Sequence, residues 1–406
     1  MEKTIASIDV GTTKVCTLVG EVNELGVLRI VGVGVSPSRG LRKGVVVNAT
    51  EAADAIVASV DRAERISGYQ VTRAYAGISG VHIASRNSRG LVAIPRGDQG
   101  ISDEDVARAL DASQAVSISE NHEVLHVVPR GFSIDGQEGV SDPRGMFGAR
   151  LEVEAHLVTG STPSIQNLIK CINSLNIDLD ELIVAPLASG EAVLTDTERA
   201  MGVALADIGG GTTDIAIFIE GSVWHTAVLP VGGNHLTNDV AICLRTPFEE
   251  AEEIKKKWGH ACPDEVPADQ QLDIAAFGEE THQQVPRRQL ADVLNARVEE
   301  VASLILQEIK RSGYDGLLPA GVVLCGGTSE LPGIRDIVRE VVGLPVRVGR
   351  PQDLQGLVDT LTSPAFATSV GLLMWEQNHK STVRPRPSRP SVGDRVVKWF
   401  RNLLPG

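Results

Sequence analysis

Two stretches of the chain decide its fold: Asp9-Val-Gly-Thr-Thr-Lys14 and Asp207-Ile-Gly-Gly-Gly-Thr-Thr-Asp214. Each follows an apolar run (residues 5–8 and 203–206) and precedes another (residues 15–19 and 215–219), so each reads as a strand-to-strand hairpin. Glycines let backbone N–H groups approach an anion closely and take positive φ, and threonine hydroxyls add donors. An aspartate at the strand end can hold a hydrated magnesium ion, which keeps several waters rather than taking an all-protein cage. Taken singly, either turn reads equally well as an ordinary Gly-Thr hairpin. Two copies in like context, about 200 residues apart, point instead to a clamp that grips a polyphosphate from both sides. The Gly-x-x-x-x-Gly-Lys-Ser/Thr spacing of a P-loop is absent.

The composition frames this motif. The 406 residues carry 38 Lys plus Arg against 52 Asp plus Glu, a net charge of −14, which argues against a nucleic-acid partner. A hydrophobic content of 42% is enough for large cores and rules out global disorder. The five cysteines are scattered, without a Cys-x-x-Cys pair, which fits a reduced cytoplasm. No stretch reaches the roughly 18 to 20 apolar residues that span a bilayer, and residues 1–9 lack the apolar region of an export signal.

Outward from the first turn, strands are expected at 4–10, 14–22 and 27–35, then a helix at 50–67 with Thr50 as N-cap and Gly68 as stop. Residues 83–156 read as a small inserted α+β module, with short strands around one helix that begins at the cap Ser102. A helix at 163–176 and a buried strand at 182–184 follow. Beyond the second turn come a mostly helical region (235–312) with a hairpin at 271–285, a strand at 322–325, and helices at 331–342 and 365–377. His122 and His126 have a metal-binding spacing only on a helix, and their context reads as a strand. Residues 379–391 form a Pro- and Arg-punctuated linker.

The paired turns resemble the phosphate motifs of the actin, Hsp70 and sugar-kinase superfamily of ATPases. Three further segments match that family in order: 182–194 and 363–371 are similar to its two connecting helices, and Val322-Val-Leu-Cys-Gly-Gly-Thr-Ser-Glu330 to its adenosine motif. The resemblance implies an actin-like (ribonuclease H-like) pair of duplicated α/β domains around a nucleotide cleft, with ATP and Mg2+ bound. It implies nucleotide contacts from Asp9, Gly11, Thr12, Thr13 and Lys14, and from Gly209, Gly210, Gly211, Thr212 and Thr213. Gly232, Gly233, Gly326, Gly327 and Thr328 complete the glycine turns, and Asp9 and Asp207 would hold Mg2+ through water. Glu252 and Lys255, one helical turn apart, are similar to the family's pair at ribose and adenine; without the motif order they read as a surface salt bridge. Glu191 aligns with a water-positioning residue and, with Asp207, is the catalytic candidate; the alternative is an interdomain glutamate.

Over nearly its whole length the chain looks like the FtsA family of bacterial cell-division proteins. The implied organisation is 1–82 with 157–195 and 360–378 as one domain and 83–156 as the insert. Residues 196–234 with 313–359 form the second domain, 235–312 a helical subdomain, 379–391 a linker, and 392–406 a membrane-targeting helix. On a helix, Val392, Val396, Trp399, Phe400, Leu403 and Leu404 share one face, with Arg395, Lys398 and Arg401 on the other, the pattern of an interfacial anchor. A helix docked on the protein's own body or on a partner is the alternative. Residues 379–406 hold seven Lys or Arg and one acid, so the tail carries +6 and the rest −20. Burying about five large apolar side chains offers roughly 8 to 15 kcal/mol at most, while ordering about twelve residues costs on the order of 1 to 2 kcal/mol each. One tether is therefore marginal, and attachment is expected to couple to self-association.

The family resemblance further implies protofilaments on the cytoplasmic face of the membrane at the division septum, with weak ATPase activity at most. The implied partners are the C-terminal peptide of FtsZ, later division proteins, further copies of the chain and an anionic membrane surface. Arg297 is the candidate peptide contact, and reads equally as a plain surface arginine. A sugar or carboxylate kinase of the same superfamily is the alternative function.

Overall fold

The computed structural model describes residues 3–95, 100–116, 118–275 and 282–379. The expected linker from 380 onward and the expected amphipathic helix at 392–406 lie outside the described residues. The chain opens with strands β1 (Lys3–Val10), β2 (Lys14–Val22) and β3 (Leu28–Pro37), and a small hairpin of β4 (Leu41–Arg42) and β5 (Val45–Val46). Helix α1 (Ala49–Ser67) and β6 (Arg73–Ile78) follow. Next come β7 (Ile83–Ala93), α2 (Asp103–Ser113), β8 (His122–Ile134), β9 (Gln137–Val140) and β10 (Arg150–Ser161). The chain continues through α3 (Thr162–Asn173), β11 (Asp178–Val184), α4 (Ala185–Val193) and α5 (Asp196–Met201).

The second half repeats the plan with β12 (Val203–Ile208), β13 (Thr213–Ile219) and β14 (Ser222–Leu229). Helices α6 (Gly233–Leu244) and α7 (Phe248–Trp258), hairpin β15 (Gln271–Ala275) and β16 (His282–Pro286), and the long α8 (Arg287–Ser312) follow. The described chain closes with β17 (Val322–Cys325), α9 (Ile334–Val342), β18 (Val346–Val348) and α10 (Ala367–Asn378).

The duplication is explicit in the sheets. One has the order β3-β2-β1-β6-β11 and the other β14-β13-β12-β17-β18. In each, the first three strands are antiparallel and the last two join in parallel. The inserted segment has its own antiparallel sheet, β7-β10-β8-β9, with α2 against β7 and β10. The strands that carry the two turns are covered on both faces, which is why β12 and β13 are buried from end to end and read as unbroken apolar runs. Helix α1 packs on β2 and β3 from one side, and α10 packs on β1 and β2.

Several expected elements shift for identifiable reasons. The N-cap of α1 is Asn48, whose side chain accepts from the Thr50 and Glu51 N–H groups, while Gly68 ends the helix in the left-handed region as expected. Strand β6 was not expected; half of its residues, Arg73-Ala-Tyr-Ala-Gly-Ile78, are small, and it gains its place by parallel pairing between β1 and β11. Three of the four insert strands are long, not short, and β8 runs for 13 residues with His122 and His126 in it, while β9 has four. Helix α9 starts at Ile334, because Gly327–Glu330 forms a separate 3-10 turn and Gly333 takes φ 81°.

Helices α4 and α10 cross between the two halves at a contact only glycine fits. A Cβ on Gly371 would lie 1.8 Å from the Ala188 carbonyl oxygen. In an isolated helix, Gly to Ala gains about 0.5 to 1 kcal/mol; here the added methyl must push apart two backbones, an overpacking that costs about 1 to 3 kcal/mol. Gly371→Ala is therefore expected to lower the denaturant midpoint, and a raised midpoint would show that the crossing is looser than described.

Candidate functional site

The two glycine-threonine turns meet face to face at the seam between the repeated halves. In the first, the Gly11 N–H donates to the Lys14 carbonyl at 3.0 Å; in the second, the Gly209 N–H donates to the Thr212 carbonyl at 2.9 Å. A Cβ on Gly210 would stand 2.2 Å from Thr13 Cγ2, and one on Gly211 2.8 Å from Thr12 Oγ1. The glycines of one turn are thus what lets the threonines of the other approach.

Around the second turn the remaining expected residues converge. The Gly233 and Asn234 N–H groups donate to the carbonyls of Gly209 and Gly210 at 2.8 and 2.7 Å. Thr328 Oγ1 donates to the Gly209 carbonyl at 3.0 Å. Gly326, at φ 82°, follows β17, and a Cβ there would lie 2.4 Å from Asp207 Oδ1. From α7, Lys255 Nζ donates to Glu252 Oε2 at 2.6 Å, to Thr237 Oγ1 at 2.7 Å and to the Gly233 carbonyl at 3.2 Å. Burial lowers the Lys255 pKa, while Glu252 is held below its ordinary range because bonds from Lys255 and Thr237 outweigh its own burial. The pair is thus built into the glycine turn and is not a free surface bridge.

The seam is lined by carboxylates. Asp9 ends β1, and Asp207 stands directly across from Asp214 on β12 and β13, so those two side chains share one sheet face. Burial raises the pKa of Asp9 and Asp207. Asp214 is pushed up to about 7 by burial, with Asp207 and Asp9 adding repulsion, against hydrogen bonds from Ser79 Oγ (2.6 Å) and Thr212 Oγ1 (3.0 Å). Lys14 brings the neighbouring positive charge, with its ammonium on the Ala365 carbonyl and 4.1 Å from the centre of the Phe366 ring.

Two candidates are held elsewhere. Glu191 lies two residues beyond Ser189 on α4, about 200° around the helix, whereas Ser189 is the residue that turns to Asp207. Glu191 instead pairs with Arg199 at 2.8 Å, where both side chains are largely buried. Arg297 of α8 is not a bare surface cation. Its fork is filled by Asp239 of α6 at 2.5 and 2.9 Å, with Glu300 at 2.5 Å on Nη1.

Sequence reasoning left out Asp214, Ser79, Thr237, Ser189, Thr368 and Ser369. Asp214 stood inside the second motif, at the place Lys14 holds in the first. The five hydroxyl residues carry no local signal, because they reach the seam only through tertiary packing.

The family model for the cell division protein FtsA matches residues 204–371, and that for the SHS2 domain inserted in FtsA matches residues 80–159. The cell division protein FtsA of Pseudomonas aeruginosa is 44% identical over 373 residues, covering 92% of this chain and 89% of that protein. That of Neisseria meningitidis is 39% identical over 410 residues, covering 99% of each. The chain belongs to the FtsA family of cell division proteins. The actin-like fold of this FtsA-family chain has solved neighbours at low identity. A PilM–PilN type IV pilus biogenesis complex matches with TM-score 0.63 at 14% identity, covering 91% of this chain and 97% of that one. MreB5 of Spiroplasma citri bound to ADP matches at 0.57 and 14%, covering 93% and 97%. The family assignment does not favour the kinase alternative.

The residues of this FtsA-family cleft fit a nucleotide with its metal. Two glycine turns leave approach to the backbone, and three carboxylates meet at one seam beside the Lys14 ammonium, Asp207 and Asp214 buried and Asp9 partly exposed.

The Asp214 shift makes stability depend on pH with a definite sign. Its folded pKa is raised, so near neutral pH the folded protein holds a proton that the unfolded chain has released. The stability this gives is present below the ordinary carboxylate range and is lost as pH rises through about 7. In buffer free of nucleotide and Mg2+, the wild type should lose stability between about pH 5 and pH 8, and Asp214→Asn should flatten that slope by roughly 1 to 3 kcal/mol. Denaturant titrations across the range would overturn the assignment if the two slopes coincide.

Proposed function

We propose that this FtsA-family chain binds ATP with Mg2+ between its facing turns, polymerises as an actin-like filament and ties the tubulin-like FtsZ ring to the cytoplasmic face of the membrane at the septum. The observation that carries the reading is the meeting of the two turns, each packed against the other's glycines or threonines at van der Waals distance or closer to any added Cβ. Two of the fold's solved neighbours are MreB5 bound to ADP and to AMPPNP.

In this reading the N–H groups and hydroxyls of residues 11–13 and 209–213 cradle the phosphates, and Lys14 adds charge. Asp9 and Asp207 hold the hydrated metal, which when bound neutralises charge on the phosphates. Glu252 and Lys255 serve the ribose and base beside Gly233, and Gly326, Gly327 and Thr328 extend that side, Thr328 packing against Gly233. Because Glu191 is engaged with Arg199, turnover is expected to be slow. The FtsZ peptide is proposed to meet the α6–α8 face around the Asp239–Arg297 pair, where the guanidinium is already fixed in direction.

No helix among the described residues is long and apolar enough to cross a membrane. Attachment is proposed to rest on residues 392–406, whose basic, amphipathic sequence opposes the −20 of the remainder on an anionic surface. Later division proteins are proposed to join the assembly once it is so placed.

Two measurements test this. Gly210→Val should weaken nucleotide binding at least about tenfold through its clash with Thr13 while far-UV circular dichroism is kept; unchanged affinity would place the nucleotide elsewhere. Removing residues 392–406 should abolish ATP-dependent sedimentation with anionic liposomes, and pelleting equal to that of the full chain would sink the tether.

A further inference from the structure

The last described helix, α10, enters the seam with two consecutive hydroxyl residues, Thr368 and Ser369, and they reach carboxylates belonging to different halves of the molecule. Thr368 Oγ1 donates to Asp207 Oδ2 at 3.0 Å. Ser369 Oγ donates to Asp9 Oδ2 at 2.7 Å. Ser189, on the crossing helix α4, donates to the same Asp207 Oδ2 at 2.5 Å and stands 2.9 Å from Thr368 Oγ1. Ser189 and Ser369 are fully buried. Successive helical residues point about 100° apart, so one helix can serve both aspartates only if it lies across the seam. The Gly371–Ala188 contact holds it there.

We propose that Ser189, Thr368 and Ser369 are positioning residues for the metal, a clasp that fixes the two aspartates relative to one another so that both can address a single hydrated Mg2+. This rests on the nucleotide-and-metal reading above and adds to it the residues that aim the carboxylates. The chemistry favours the role. A hydroxyl that donates to one carboxylate oxygen fixes the plane of the carboxyl group and leaves the other oxygen for a metal-bound water. Both aspartates receive these donors on Oδ2, and the Cys325 thiol is a further partner of Asp207. Hydrated magnesium demands near-ideal octahedral geometry, so two acceptors drawn from separate sheets must be held in register. Hydrogen bonds from α10 to both do this, whereas a bond to only one would let the halves set the spacing between them. The outer partners of metal-facing groups commonly change affinity by 10- to 100-fold when removed.

The test is ADP binding by calorimetry to the full chain, with saturating Mg2+ and with the metal chelated. Wild type and four variants are compared: Ser189→Ala, Thr368→Val, Ser369→Ala and the hydroxyl-preserving Thr368→Ser. Loss of a donor should weaken Mg2+-supported binding about tenfold and leave metal-free binding within about twofold of wild type, and Thr368→Ser should restore it. Equal weakening in both media, no weakening, or failure of Thr368→Ser to restore what Thr368→Val loses would overturn the clasp. Should Thr368→Val not fold, the milder Ser369→Ala decides by the same comparison. Wild-type protein that binds ADP equally with and without Mg2+, or not at all, would instead overturn the nucleotide-and-metal reading itself.

Discussion

The constraint on which the rest of the structure depends is the burial of acidic groups at the junction of two copies of one fold. Asp9 and Asp207 end equivalent strands, and Asp214 sits across the ladder from Asp207. A buried carboxylate is costly unless it is paired or hydrogen-bonded. Here hydroxyls of Ser79, Thr212, Ser189, Thr368 and Ser369 satisfy their oxygens without supplying charge. Lys14 supplies the neighbouring cation, its ammonium on the Ala365 carbonyl and over the Phe366 ring, and its charge favours the ionised forms of Asp9 and Asp207. The seam is thus rich in hydroxyl-bonded carboxylates beside the Lys14 ammonium, a setting that the proposed divalent cation would complement and that an apolar core of the same size would not create.

The same constraint explains which glycines the seam requires. Side chains on Gly210 and Gly211 would occupy the space of Thr13 and Thr12, so the two turns can approach only because one of them lacks Cβ atoms. The second turn has two more residues than the first between its aspartate and its Thr-Thr pair, and both are glycine. The repeats are therefore alike in strand order and unlike in detail: the shorter loop brings the threonines and Lys14, and the longer one brings the open backbone.

Legibility followed the range of the interaction that fixes each feature. Strands β1, β2, β12, β13 and β17 announce themselves as apolar runs because they are covered on both faces, and the turns between them are spelled by Gly and Thr. The Glu252–Lys255 pair was legible as a helical spacing, though its link to Gly233 through Thr237 was not. Strand β6 was invisible because only its neighbours make it a strand. Asn48 displaced Thr50 as the cap of α1, since either residue type serves and only backbone geometry chooses. Arg297 and Glu191 show the opposite limit. Their residue types suit a partner or a water molecule, but a charged side chain takes whichever counter-charge packing places beside it, and that was Asp239 for one and Arg199 for the other.

Helix α10 joins these threads by its position. Its first turn bears Thr368 and Ser369 on the two aspartates, and its last turn bears Trp375, which donates to Glu181 Oε2 at 3.2 Å and stacks on His379 at 3.8 Å. The Trp375 ring also meets the buried His126 of the insert edge-on, at 5.7 Å. Trp375 lies seven residues beyond Thr368 along regular helix, about 10 Å at 1.5 Å per residue. A helix so short is stiff compared with the loops around it, and its two ends are bonded to different parts: the seam at one, the insert and β11 at the other. Any rearrangement that changes the spacing of Asp9 and Asp207 must therefore either break the hydroxyl bonds or carry α10 with it. In the second case the displacement reaches His126 and the point from which the basic tail departs, so the nucleotide seam, the inserted sheet and the root of the tail share one mechanical element.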